Sequence, residues 1–249
     1  MGPADSERIA KIIIHPNDGK IVYACVPGKL WSYSAARGLY KTSDGGNSWT
    51  QALKGSNLST GCASVAMDSK DPDHLIAALW DFRRNGWIFR SGGASPAAAS
   101  GSGLFSSRDG GKSWSPLDAA STRGLPAKPW GRSAVAFAPS NANIVYAMIE
   151  SSRSALFRSE DGGVTWKELD RSQMMVWRPF YFANLIVDPA NPDRIFKAGG
   201  GLIVSVDGGH SFSYSGGGGH GDWHDVWIDP ANPKHVIAGD DGGLWFSKD

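Results

Sequence analysis

A short string that recurs along the chain limits its fold more than any other feature. "TSDGGNSW" (42–49) returns as "SRDGGKSW" (107–114), "SEDGGVTW" (159–166) and "SVDGGHSF" (205–212), and "SKD" (247–249) opens a fifth copy. Each has the form Ser/Thr-x-Asp-x-Gly-x-Ser/Thr-Trp/Phe, with a leucine five residues before the aspartate: Leu39, Leu104, Leu156, Leu202 and Leu244. A second element precedes each copy: "IIIHPNDGKIVYA", "VAMDSKDPDHLIAA", "VAFAPSNANIVYA", "LIVDPANPDRIFKA" and "VWIDPANPKHVIAG". Two apolar runs around a Pro/Asn/Asp turn are the pattern of a β-hairpin.

One repeat therefore reads strand, turn, strand, variable loop, strand, Asp-Gly-Gly turn, strand. Four antiparallel strands in roughly 40 to 50 residues make a propeller blade. No segment has a 3.6-residue apolar period, so little helix is expected. The fold expected is an all-β propeller spanning 8–249, or an arc of a larger one. Its repeats lie near 8–54, 60–118, 130–170, 180–215 and 223–249, about four and a half blades. A catalytic group is needed once, whereas a turn is needed in every blade. Asp44, Asp109, Asp161, Asp207 and Asp249 are accordingly read as structural, accepting hydrogen bonds inside their turns. Trp49, Trp114, Trp166 and Phe212 are read as repeat core.

Composition removes several function classes. The net charge of +1 indicates no general attraction to nucleic acid or anionic membrane, so no nucleic-acid partner is expected. No apolar run is long enough to span a bilayer, and "MGPADSERIAK" has no apolar leader core. Cys25 and Cys62 form neither a disulfide framework nor a zinc pattern, and both are expected to pack as small hydrophobes. His15, His74 and His235 fall at hairpin turns and are expected at the surface.

The repeats match the Asp-box (bacterial neuraminidase) repeat. Residues from about 8 to 249 resemble the sortilin-N-terminal-type propeller of large bacterial proteins described as glycosyl hydrolase-like. Four non-repeating segments carry that resemblance: "GKLWSYSAARGLYKTSDGGNSW", "ALWDFRRNGWIFRSGG", "RPFYFANLIVDPANPD" and "HGDWHDVWIDPANPKHVIAGDDGG". It implies a peptide or polysaccharide ligand at the channel face. It also implies a secreted or periplasmic setting, with flanking domains or further blades of a larger protein. Xyloglucanases of similar repeat type carry an Asp-x-Gly-Gly segment after the first hairpin. This chain reads "CVPGKLW" there, with no acid.

In a propeller the first strand of each blade lines the central channel, and the loops leading into it open on one face. "WRPFYF" (177–182) and "HGDWHD" (219 is the glycine before it) lead into two such strands, bringing Arg178 and Tyr181 toward His220, Asp222, His224 and Asp225. The long loop of the second repeat adds Trp80, Arg83, Arg84 and Trp87. Three readings compete for this group. His220, Asp222 and His224 would be metal ligands, although three ligands within five residues of a strand splay too far apart to reach one ion readily. Asp222 and Asp225, with His224, would be the catalytic groups of a glycoside hydrolase; in a sialidase-like version Arg178, Arg83 and Arg84 would converge with Tyr181. In the third reading, which we prefer, the acids tie down loop amides and His224 is bonded in the channel wall. The expected function is a ligand-binding interaction module without a cofactor, with a glycoside hydrolase and a purely structural scaffold as the alternatives.

Overall fold

In the computed structural model, which describes residues 2–84, 100–215 and 219–248, the recurring string and its hairpin fold into the blades of a five-bladed β-propeller. Blade 1 holds β1 (Lys11–His15), β2 (Asp18–Val26), β3 (Gly38–Thr42) and β4 (Thr50–Lys54). Blade 2 holds β5 (Thr60–Met67), β6 (Leu75–Asp81), β7 (Gly103–Ser107) and β8 (Ser115–Leu117). Blade 3 holds β9 (Ser133–Ala138), β10 (Asn141–Ile149), β11 (Ala155–Ser159) and β12 (Lys167–Glu168). A four-residue helix, α1 (Gln173–Val176), connects it to blade 4, which holds β13 (Asn184–Val187), β14 (Ile195–Ala198), β15 (Ile203–Ser205) and β16 (Ser213–Tyr214). Blade 5 holds β17 (Asp225–Ile228), β18 (Val236–Asp240) and β19 (Gly243–Ser247). Every blade is a meander of neighbouring antiparallel strands in chain order. Trp87 and Asp249 lie outside the described residues.

The Asp-Gly-Gly turns share one geometry. Asp44 Oδ1 accepts from the Thr42 hydroxyl at 2.7 Å and the Ser48 amide at 2.9 Å, while Oδ2 accepts from the Ser48 hydroxyl at 2.6 Å. Gly45 and Gly46 take φ of 73° and 92°, a left-handed conformation that a side chain would strain. Asp109, Asp161 and Asp207 make the same bonds in their own turns. Bonds from the serine hydroxyl and amide four positions on hold Asp44, Asp109 and Asp207 well below the usual carboxylate range. Trp166 is buried, whereas Trp49, Trp114 and Phe212 are half-buried.

Four apolar clusters fill the blade interfaces. One joins Tyr23 and Leu39 of blade 1 to Val65 and Leu75 of blade 2. The next joins Ile76 and Leu104 to Val135 and Phe137. A third joins Tyr146 and Leu156 to Leu185 and Val187. The last joins Phe196 and Leu202 to Val226 and Ile228. Leu39, Leu104, Leu156 and Leu202 thus each pack one blade onto the following one, whereas Leu244 is exposed.

Two sequence expectations are corrected. Cys25 and Cys62 are not separate small hydrophobes: they form a disulfide between blades 1 and 2, with Cα atoms 4.9 Å apart. The pairing has no local signature, because it arises where β2 faces β5 across an interface. His74 is not at the surface but 1% exposed, edge-on to the Phe137 ring at 4.9 Å. Its turn looks exposed within its own blade, and blade 3 covers it.

Candidate functional site

The inner strands β1, β5, β9, β13 and β17 surround the propeller axis, and the segments entering them enclose a cavity of about 590 Å³. All five blades contribute: Lys11 from blade 1, Ser64 from blade 2, Arg132 from blade 3, Tyr181 and Asn184 from blade 4, His224 and Asp225 from blade 5. The strand registers make Lys11, Ser64, Ala134, Asn184 and Asp225 equivalent positions, one per blade. The repeat dictates β-structure at this position but leaves its side chain free to differ, and that is where the site's chemistry varies.

A second cavity of about 500 Å³ opens beside the first and shares Ile9, Ala10, Arg132, Tyr181 and His224 with it. Its walls carry Arg8, Lys29, Arg37, Arg84 and Arg132, together with Trp80, Phe82, Phe180 and Tyr181, and among the described residues no aspartate or glutamate. Arg37 is a strut. Its guanidinium donates to the carbonyls of Pro27 at 2.6 Å, Ser59 at 3.1 Å and Ser32 at 3.1 Å, and also to that of Lys29, which fixes the "CVPGKLW" loop at the rim. Trp80, Phe82 and Phe180 form a buried aromatic cluster, with Trp80 stacked on Phe82 at 4.1 Å. Arg132 lies over Trp80 at 5.1 Å and donates to the Phe180 carbonyl at 2.7 Å.

Two buried cations line the axial cavity. Burial pushes the Arg132 guanidinium down to about 10, opposed by Glu150. Burial also lowers Lys11, opposed by Asp225. Neither residue belongs to the sequence-derived candidates. The signal that would have found them is a cation where another blade places Ala134, for Lys11, and just ahead of the first strand where other blades place Phe182 and Trp223, for Arg132.

The candidates from sequence separate into groups. Tyr181, His224 and Asp225 reach the axial cavity. Arg84 donates to the Tyr181 hydroxyl at 3.4 Å and lies over Phe180, while Arg178 lies over the Tyr181 ring at 4.9 Å. Arg83 lies over the Tyr33 ring at 5.0 Å. Trp80 reaches the mouth from inside the aromatic cluster. His220 packs on Gly242, and its amide donates to Asp240 at 2.7 Å. Asp222 sits at a left-handed φ of 51° in the bend before β17. His224 Nε2 pairs with Asp241 at 2.8 Å. Asp225 accepts from Asn184 Nδ2 at 2.7 Å and from the Val226 amide at 2.9 Å.

That arrangement restricts the chemistry. Glycoside hydrolysis in its usual form needs two carboxyl groups flanking one bond, and among the described residues Asp225 is the one acid lining either cavity. It is held by an amide side chain and its own strand. Among the described residues no group of three His, Cys, Asp or Glu side chains could hold a metal ion.

No family model and no curated protein matches the chain. Solved structures do share its fold. A Niastella koreensis GH74 enzyme superposes with a TM-score of 0.63 at 15% identity, over 94% of this chain and 33% of that one. The GH74 xyloglucanase from Xanthomonas campestris gives 0.64 at 18%, over 96% and 36%. YCF48 from Cyanidioschyzon merolae gives 0.57 at 17%, over 96% and 66%. The chain spans about a third of the length of the GH74 enzymes. At these identities the likeness is one of fold. Among the described residues no helix is long and apolar enough to cross a membrane.

Proposed function

We propose that this propeller is a non-catalytic ligand-binding module of a larger secreted or periplasmic protein, of the Asp-box, sortilin-N-terminal-like type. It holds an anionic polysaccharide or peptide segment at the mouth of its channel. The observation that carries this reading is the pair of connected cavities, whose walls combine cationic and aromatic side chains with, among the described residues, a single, already bonded carboxylate. Aromatic faces accept sugar rings or apolar side chains, and partly desolvated cations attract an anion more strongly than solvated ones. The Cys25–Cys62 disulfide supports an oxidising compartment.

Isothermal titration with hexagalacturonate, cellohexaose and hexaglutamate tests the reading. One of the anionic probes is expected to bind and to lose about tenfold or more in affinity in Lys11→Met and in Tyr181→Ala. The reading fails if none of the three binds, or if both substitutions leave affinity unchanged. Release of new reducing ends from a saccharide would replace it with hydrolysis.

A further inference from the structure

Strand register makes the second strand of each blade comparable. Ala24 pairs with Ile12, Ala77 with Val65, Ala147 with Val135 and Ala238 with Val226, so these alanines occupy one position in four blades, and all four are buried. In β14 of blade 4 that position, opposite Leu185, is Lys197. Its side chain is as buried as the alanines, at 1% exposed. Among the described residues its ammonium makes one hydrogen bond, Nζ donating to the Met174 carbonyl of α1 at 3.4 Å. Burial pulls it down to about 8, and among the described residues no carboxylate offsets this. Alanine meets the needs of the fold here in the other blades, whereas an ammonium buried with one acceptor costs stability.

The surroundings of that ammonium are the footing of the site. α1 runs directly into 177–182, the segment that carries Arg178 and Tyr181. Nζ also lies against Gly199, where an added Cβ would collide with it. Gly199 and Gly200 hold the second segment: their carbonyls accept from the Trp223 amide at 2.7 Å and the Asp222 amide at 3.4 Å, just ahead of His224 and Asp225. The Trp177 ring, from the first segment, packs on Gly200. Both segments therefore meet on the two glycines that follow β14.

We propose that Lys197 is a positioning residue of the channel-mouth site: by holding α1 and bracing Gly199 it fixes Tyr181 relative to His224 and Asp225. The inference rests on the binding reading of that site. Lys197 is fully buried, so it touches no ligand and acts through the two segments. Its charge strengthens the bond to the helix carbonyl, because an ionised donor binds about twice as strongly as a neutral one. α1, with four residues, is too short to hold its own conformation. A residue that costs the fold stability and orders a site is the trade expected where function sets its identity.

Two variants of the full chain test the proposal. Lys197→Met keeps the apolar stem and removes the charge, and Gly199→Ala keeps the lysine and displaces its ammonium. Denaturant melts, native-state hydrogen exchange and titration with hexagalacturonate and hexaglutamate are compared with wild type at one pH. Lys197→Met is expected to be at least as stable as wild type. In both variants the amides of Tyr181, Phe182 and Trp223 are expected to lose about tenfold or more in protection, and those of β10 little. The anionic probe that wild type binds is expected to lose about tenfold or more in affinity. A lysine that served packing alone would cost global stability when replaced and leave that affinity unchanged. Wild-type protection of these amides in both variants overturns the proposal, as does unchanged affinity for a probe that wild type binds, or an equal loss of protection across β10. If neither probe binds wild type, the binding reading falls, and exchange at Tyr181 and Trp223 alone decides the positioning. If Lys197→Met does not fold, Gly199→Ala decides it.

Discussion

His74 shows what burial does to a single titrating group. It is enclosed by Phe137 and by the turn at Gly162, with Asp68 Oδ2 at 4.0 Å from Nδ1. Burial is the main cause that pulls it down to about 4, Arg108 adds to this, and Asp68 and Asp71 oppose it. The unfolded chain takes up the proton near pH 6.5, and the folded chain near pH 4. Stability contributed by keeping this imidazole neutral is thus complete above pH 6.5 and falls as pH drops toward 4, by about 3 kcal/mol in all. Denaturant melts between pH 4 and 7 are expected to show that slope, and His74→Gln to flatten it while losing stability at pH 7. An unchanged slope in the variant would mean another group titrates there. The turn aspartates act in the same direction at lower pH: their depressed values contribute stability that starts to be lost below about pH 4. None of this is visible in "DPDHL", because the residues that bury His74 come from the next blade.

At the scale of the strand and the blade, the repeated leucine gives a controlled comparison. Leu156 is fully buried between blades 3 and 4, and Leu244 occupies the same position at a bare face. Leu156→Ala is expected to cost about 2–5 kcal/mol, the usual range for a buried leucine. Leu244→Ala, at a side chain 69% exposed in this chain, should stay within about 0.5 kcal/mol of wild type. Comparable losses in the two would show that blade 5 is covered in solution. The blades themselves were legible in the sequence because every one spells out its own hairpin and turn. The cavity was only partly so. Tyr181, His224 and Asp225 stood out as unusual residues at strand entrances, whereas Lys11 heads "KIIIH" and reads as an ordinary strand residue until the five first strands are aligned. The Cys25–Cys62 pair was hidden for a related reason, since only the packing of β2 on β5 makes the two neighbours.

For the whole molecule, stability should follow the number of packed faces each blade has. Among the described residues, blades 2, 3 and 4 are covered on both sides by apolar clusters, while blades 1 and 5 are covered on one. The two end blades are not equal. Blade 1 has four strands and is tied to blade 2 by the disulfide, whose closed loop contributes on the order of 3–4 kcal/mol in a chain-entropy account. Blade 5 has three strands among the described residues and no such tie. Opening should therefore begin there, with β17, β18 and β19 exchanging their amides before the rest. In dilute native-state hydrogen exchange, amides of β18 are expected to lose protection first and those of β10, at the centre of blade 3, last. Equal protection of β18 and β10 in the monomer would contradict this gradient. Since Trp223, His224 and Asp225 enter the cavity at the edge of the least stable blade, fraying of blade 5 also opens the binding site. Ligand that bridges Tyr181 and His224 should then protect β17 and β18 more than any other strand.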